Sequence, residues 1–587
     1  MHLKFLGLYT AASILAAAIA EAKNVSYSVI TSIDGGSSAA VVVDDHVYPL
    51  SPSTDDARLL HVGEAPAAEH HYYYAKIKQD RTVLERESFT REPVSDDTPN
   101  EFYNRTRNTW SIRKLPKVYE DLPVINRITS DLHRPGIIPT IHFQGNQTEI
   151  DSMHTNIFDD IKVTTNVTYI SPDQVLTCKD VKLKLSGRST LLMPKLSYNA
   201  EFGEGNDLYG YSHLKFRSMA ADRSYIRENI VYNMVESAGL PGTHISYIRV
   251  YVNGQPAGLF SLIEPFKKSW LRNEFANGDE DYVQGGMFEA ASSPFNYVKY
   301  GQLPDLSYVG DNETAYANAP YSIEVDPGKG DPTFKPLVNL TRFLNIETPL
   351  EGKDVIPSWD RHLDVDSFLR NIALEVLLGF SDGYILMADN YHIYQEHPDS
   401  ERFIWVPNDV DTTLGITLGK LSDMLSGNYS TFPGFQTRPL TKQIVRIPEL
   451  KQRFEYYMRD MAQHLLHPNV SFPYIDDIVS MITEDVEWDL TLPRMSKFNF
   501  SEFNLTDIGD LFGSSADSSN FSLEDISKGM PPTVDNATTQ DMYSPDLVNI
   551  TFMQAVNGPT GHIAMSGVKE FIVNQTRATL EYFNIPY

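Results

Sequence analysis

Between Glu375 and Gly415 the chain reads EVLLGFSDGYILMADNYHIYQEHPDSERFIWVPNDVDTTLG. This stretch gathers Asp382, Asn390, Asp409 and Asp411 into one short unit of helix, loop, strand and acidic turn. Magnesium prefers hard oxygen ligands, often carboxylates and amides together with phosphate oxygens of a bound nucleotide. Carboxylates at i and i+2 of an extended segment project to the same side, so Asp409 and Asp411 are spaced to share one ion. Phosphoryl transfer asks little more of a protein: an Asp that orients the acceptor, an Asp and an Asn that hold metal, and a Lys on the phosphates. By spacing alone two other readings stay open. Asp-Gly and Asn-Asp pairs are ordinary turn formers, and a D-x-D pair is also the metal motif of many glycosyltransferases.

The elements that must position these residues are legible around them. In His362–Phe380 the apolar residues Val365, Phe368, Leu369, Ile372 and Val376 fall at helical spacing, which predicts a central helix delivering the chain to Asp382. Tyr225–Ser237 predicts a second helix, with Ile226, Ile230 and Met234 on one face and Gly239 just past its end. HISYIRVYV and QPAGLFSLIE flank Asn253-Gly254, a pair that accepts positive φ at both turn positions and so predicts a hairpin. IKVTTNVTYI and DVKLKLSG read as further strands. Upstream, residues 24–92 consist of short alternating runs between Gly, Ser, Pro and Asp turns, the pattern of a small β-sandwich. Its Tyr72, Tyr73 and Tyr74 suit either a sugar-binding aromatic face or cross-strand core packing. Residues 93–139 read as a linker and 140–500 as the main domain. A Ser-, Asp- and Gly-rich stretch without periodicity, 501–545, reads as an exposed insert, and 546–587 as a helical segment that includes an amphipathic run over Val568–Phe583.

Composition narrows the function classes. With 587 residues and 41% apolar content the chain can bury more than one core. A net charge of −28 argues against nucleic acid as a partner, because its phosphates require a basic patch, and repels anionic membrane surfaces. Residues 1–22, MHLKFLGLYTAASILAAAIAEA, read as a signal peptide: one Lys, an apolar run, then small residues. Fourteen N-x-S/T sequons begin at Asn24, Asn104, Asn146, Asn166, Asn312, Asn339, Asn428, Asn469, Asn499, Asn504, Asn520, Asn536, Asn549 and Asn574, and predict a secreted glycoprotein. The single Cys178 can form no internal disulfide, and its strand-like setting predicts a buried apolar role rather than a nucleophile. No second apolar stretch follows at the C-terminal end, so neither a membrane span nor a lipid-anchor signal is expected, and the chain is expected to be released or retained in a cell wall.

Four segments in order resemble the CotH family, named for a spore-coat protein kinase of bacilli and found also as cell-surface proteins of mucoralean fungi. They are MPKLSY (Met193–Tyr198), ADRSYIRENIVY (Ala221–Tyr232), IRVYVNGQPAGLFSLIE (Ile248–Glu264) and DNYHIYQEHPDSERFIWVPNDVDTTLG (Asp389–Gly415). The resemblance spans roughly Thr140 to Leu466. It implies an α+β fold in which the small N-terminal β-sandwich precedes an atypical protein-kinase-like domain of two lobes. The implied activity is that of a secreted kinase using ATP and Mg²⁺ or Mn²⁺ to phosphorylate Ser or Thr of secreted, spore or cell-wall proteins.

On that resemblance Asp382 orients the acceptor hydroxyl, while Asn390, Asp409 and Asp411 hold metal. Lys195 lies on the phosphates with Glu264 as its acidic partner or as a metal ligand, and Arg188 and Arg227 are further phosphate contacts. The alternative is a non-catalytic adhesion protein on the same scaffold, whose partner is a host surface receptor. Departures from familiar patterns bear on both. No G-x-G-x-x-G precedes Lys195 and there is no H-R-D or D-F-G, so this is not an ordinary protein kinase. The family's Trp before the D-x-D pair is Asn408 here. The receptor-binding sequence of some fungal members, MGQTNDGAYRDP, is replaced by LMADNYHIYQEHP (Leu386–Pro398), so invasin activity does not carry over.

Overall fold

The alternating runs at the N-terminal end are realised as two four-stranded sheets. The computed structural model describes residues 23–498 and 530–587, apart from 204, 293, 320 and 543; the signal peptide, most of the predicted insert and the sequons at Asn499, Asn504 and Asn520 lie outside them. The chain divides into two compact units, the first ending at Thr106 and the second beginning at Arg107. In the first, the strands are β1 (Asn24–Ile30), β2 (Ser37–Val43), β3 (His46–Pro49), β4 (Ser51–Pro52), β5 (Leu60–Pro66), β6 (Tyr72–Lys78), β7 (Val83–Arg86) and β8 (Glu101–Phe102). They form sheets of order β4-β5-β1-β8 and β3-β2-β6-β7. Tyr27 of β1, Val41 of β2 and Tyr72 and Tyr74 of β6 share one core. The hydroxyls of Tyr72 and Tyr74 donate to Glu101 at 3.0 and 2.8 Å, and Arg91 pairs with the same carboxylate at 2.8 Å. Tyr73 is buried on the other face of its sheet with Val42 and Ile77. These rings are core, not a sugar platform. The region read as a linker contributes β8, which pairs in parallel with β1.

The second unit is built on a closed barrel. Its strands are β9 (Thr140–Gly145), β10 (Val163–Ile170), β11 (Val175–Ser186), β12 (Ser197–Glu201), β13 (His213–Arg217), β14 (Ile245–Val252) and β15 (Gln255–Ile263). They close in the order β10-β11-β12-β13-β15-β14-β9. Alternation fills the interior: Leu214 and Phe216 of β13 pack with Phe143, Tyr198, Ile248 and Phe260. Asn253 and Gly254 join β14 to β15 at φ of 47° and 79°, the left-handed pair that the Asn-Gly turn predicts. Cys178 is buried on β11.

Beyond the barrel, β16 (Met287–Ala290), β17 (Tyr321–Val325), β18 (Tyr391–Gln395) and β19 (Phe403–Pro407) form a sheet of order β17-β16-β18-β19. It packs with helices that include Arg227–Ser237, Val365–Leu378, Pro448–Met461 and Pro468–Thr491 in one large core. The chain is thus a mixed α/β protein. Among the described residues no helix is long and apolar enough to cross a membrane. None of the eleven described sequon asparagines is buried.

Candidate functional site

The helix Val365–Leu378 starts where Asp364 accepts from the Ser367 amide at 2.8 Å, and it stops at Gly379, whose φ of 63° turns the chain out of the helix. Glu375 then accepts from the amides of Tyr384 and Ile385, each at 2.9 Å, and so shapes the loop that carries Asp382. Two backbone hydrogen bonds lace this loop region to the acidic turn: Ser381 N to Thr412 O at 3.0 Å and Leu414 N to Leu378 O at 2.7 Å. Asn390 and Asp409 both take left-handed φ, 54° and 48°, and Asn408 N donates to Asn390 O at 3.1 Å. The D-x-D pair is therefore a turn after β19, not the extended segment expected from spacing. Its two carboxylates converge all the same.

What they converge on is Arg217, at the end of β13. Its Nη2 lies 2.5 Å from Asp409 Oδ1 and 2.8 Å from Asp411 Oδ2, and its Nε 2.8 Å from Glu228 Oε1. Glu228 sits in the first turn of the helix Arg227–Ser237. Lys215, two residues earlier on β13, shares the strand face opposite Leu214 and Phe216.

The charges act on one another strongly. Burial, then Asp411, Asp409 and Asp389, push the Asp382 carboxyl well above the usual range. Asp389 is raised to about 7 by burial, against the pull of Arg188. Burial opposes ionisation of Asp409 too, but Arg217, Lys215 and Arg188 outweigh it and hold that carboxyl down at about 2. Asp411 is raised by burial and by Asp409. Burial, then Arg217, lowers the Lys215 ammonium. The result is an acidic loop and turn facing a cationic strand.

Of the residues predicted from sequence, Asp382, Asp409 and Asp411 are brought together, with Asn390 beside the turn. Arg188 is on the rim, 3.4 Å from Glu289 and acting on Asp389 and Asp409. The other three are engaged in other pairings. Lys195 is buried in an ion pair with Asp489 at 2.7 Å and stacks over the Phe260 ring at 4.6 Å. Glu264 is not its partner: it accepts from Asn273 Nδ2 at 3.0 and 3.1 Å, and burial raises it to about 8. Arg227 spends its guanidinium on Asp222, on Thr413 O at 3.1 Å and on Ser566 O at 2.8 Å, so it is a structural tie. Sequence reasoning passed over Lys215, Arg217, Glu228 and Asp389. The alternation of H-L-K-F-R, which sets both cations on one face, was the available signal.

The donor set suits a hard divalent cation, because Asp382, Asp389, Asp409, Asp411 and Asn390 offer only oxygen and amide groups and the charge of Asp409 raises both Asp382 and Asp411. Among the described residues no three His, Cys, Asp or Glu side chains form a ready cage. The protein would supply part of the sphere, as it does where magnesium rides on nucleotide phosphates. A separate cavity of 430 Å³, lined by Tyr232 and Asn233, contains none of the predicted site residues.

Residues 183–497 match the family described as CotH kinase protein. Similar curated proteins come from Rhizopus delemar (strain RA 99-880). Invasin CotH2 is 24% identical over 424 residues, which are 70% of this chain and 68% of that protein. Invasin CotH3 is 23% identical over 419 residues, 70% and 67% of the two chains. Spore coat protein homolog 1 is 23% identical over 419 residues, 70% and 65%.

Proposed function

This chain belongs to the CotH family, and on that premise we propose that it is a secreted atypical protein kinase, moving the γ-phosphoryl group of ATP to Ser or Thr of secreted, spore or cell-wall proteins. One observation carries the reading: Asp382 stands beside the Asp409–Asp411 turn, and Arg217 pairs directly with both carboxylates of that turn while Lys215 lies on the same strand face. An acceptor-orienting carboxylate, oxygen donors for a metal and cations for phosphates are the parts that phosphoryl transfer needs. Asn390, Asp409 and Asp411 would hold Mg²⁺, which when bound neutralises charge on the phosphates. Lys215 and Arg217, with Arg188 at the rim, take the phosphate role first read for Lys195. Asp382 orients the acceptor hydroxyl, and cations drawn to the site favour its ionised form. On this reading the barrel and the helical region act as the two lobes, and the N-terminal unit is a β-sandwich. Eleven sequon asparagines that are not buried support passage through the secretory pathway.

The test is label transfer from ATP by the glycosylated chain, with Mg²⁺ or Mn²⁺ and acidic or Ser-rich acceptors. Asp382→Asn should cut turnover by roughly 10²–10⁴-fold while ATP still binds. Transfer that persists in the variant reassigns the acceptor-orienting group. No transfer by the wild type favours a second reading, a surface adhesion protein that contacts a host receptor. The word invasin in the relatives' names supports that reading, as does the engagement of the D-x-D pair by Arg217.

A further inference from the structure

Arg217 stands between the two carboxylates that the kinase reading assigns to metal. A single nitrogen, Nη2, bridges Asp409 and Asp411 at 2.5 and 2.8 Å, while Nε holds Glu228 at 2.8 Å, and the side chain is only 10% exposed. A guanidinium paired in such a setting is costly to strip of its partners. An ion arriving with water alone would have to push Arg217 off both aspartates and leave it with Glu228. Phosphate oxygens change that balance, because the planar fork of a guanidinium pairs with phosphate as readily as with carboxylate. Lys215, on the same face of β13, adds a second cation that acts on Asp409 and Asp411.

We propose, resting on the kinase reading above, that Arg217 is a positioning residue that makes metal and nucleotide load as a unit. It closes the Asp409–Asp411 pair until incoming phosphates take its fork, and the freed carboxylates then receive the ion. Coupling of this kind is reciprocal, so the metal must tighten nucleotide binding by the factor with which the nucleotide tightens metal binding. The exchange moves a side chain between partners and makes or breaks no covalent bond.

The experiment measures Mn²⁺ affinity of the full chain by electron paramagnetic resonance of the free ion, at pH 8, with and without a non-hydrolysable ATP analogue, after subtraction of the Mn²⁺ that the analogue binds without protein. In the wild type the analogue should tighten Mn²⁺ binding by about tenfold or more, within the usual range of coupling. Arg217→Gln should bind Mn²⁺ alone about tenfold more tightly than the wild type, and the coupling should fall below the wild-type value, the remainder being the direct ligation of the ion by phosphate oxygens. A residue with a purely structural role would weaken metal binding when lost, so a weaker or unchanged affinity in Arg217→Gln overturns the proposal. Should that variant fail to fold, Arg217→Lys keeps the charge without the fork and should still reduce the coupling; undiminished coupling overturns the idea. A wild type that binds Mn²⁺ and analogue independently overturns the coupling alone. One that binds neither overturns the kinase reading itself.

Discussion

Lys195→Met separates a phosphate contact from a structural ion pair. The Lys195 ammonium lies 2.7 Å from Asp489 Oδ1, with side chains 5% and 0% exposed. Removing one partner of a buried pair costs about 3–5 kcal/mol, because it strands the other charge. Asp489 would keep three donors: Tyr225 Oη at 2.8 Å, Leu259 N at 3.0 Å and Arg494 Nη1 at 3.2 Å. The loss should therefore fall at the low end, about 3 kcal/mol, with methionine retaining the apolar contact to Phe260. Denaturant unfolding followed by tryptophan fluorescence is the assay. All five tryptophans, Trp110, Trp270, Trp359, Trp405 and Trp488, belong to the second unit, so the signal reports that unit alone. ATP affinity, measured on the same protein, should be unchanged. A stability change below about 1 kcal/mol together with lost ATP binding would refute the assignment and return Lys195 to the phosphates.

Glu264, raised to about 8 by burial from an ordinary 4.5, keeps its proton in the folded protein across a window where the unfolded chain releases it. Its contribution to stability is therefore lost as pH rises from 4.5 to 8, and Glu264→Gln should gain on the wild type by up to about 1.4 kcal/mol per pH unit; parallel stability curves for the two proteins would contradict this. At Gly258, φ is 123° and an added Cβ would fall 1.8 Å from Asp489 Oδ1, so Gly258→Ala should destabilise by about 3 kcal/mol or more. An unchanged melting temperature would disprove that close approach. Asp409→Ala should fold nearly as well as the wild type, because Asp411 and Glu228 still hold Arg217. It should lose the rise of about 2.7 kcal/mol expected for the wild type at a hundredfold excess of magnesium–ATP over Kd, and an equal rise in both proteins would remove Asp409 from the ligand set.

Several elements were determined by the sequence alone because their causes are local. The Val365–Leu378 helix follows from apolar spacing bounded by a capping Asp364 and by Gly379, and the β14–β15 turn from Asn253-Gly254. Asp382, Asp409 and Asp411 were legible for the same reason: a helix, a loop and a hairpin of short length cannot scatter them far. The cations were not. Lys195 and Lys215 each follow or occupy barrel strands, and no local feature says which one meets the acidic turn. Arg217 lies 192 residues before Asp409, and Lys195 lies well upstream of Asp489 on the helix Pro468–Thr491. Barrel closure and the packing of that helix against β15 decide these pairings, and burial then turns proximity into shifted acidities. Spacing in the sequence fixes which groups are neighbours along the chain. Which charge meets which is settled only when distant elements pack, since the Coulomb energy depends on distance and burial, not on order.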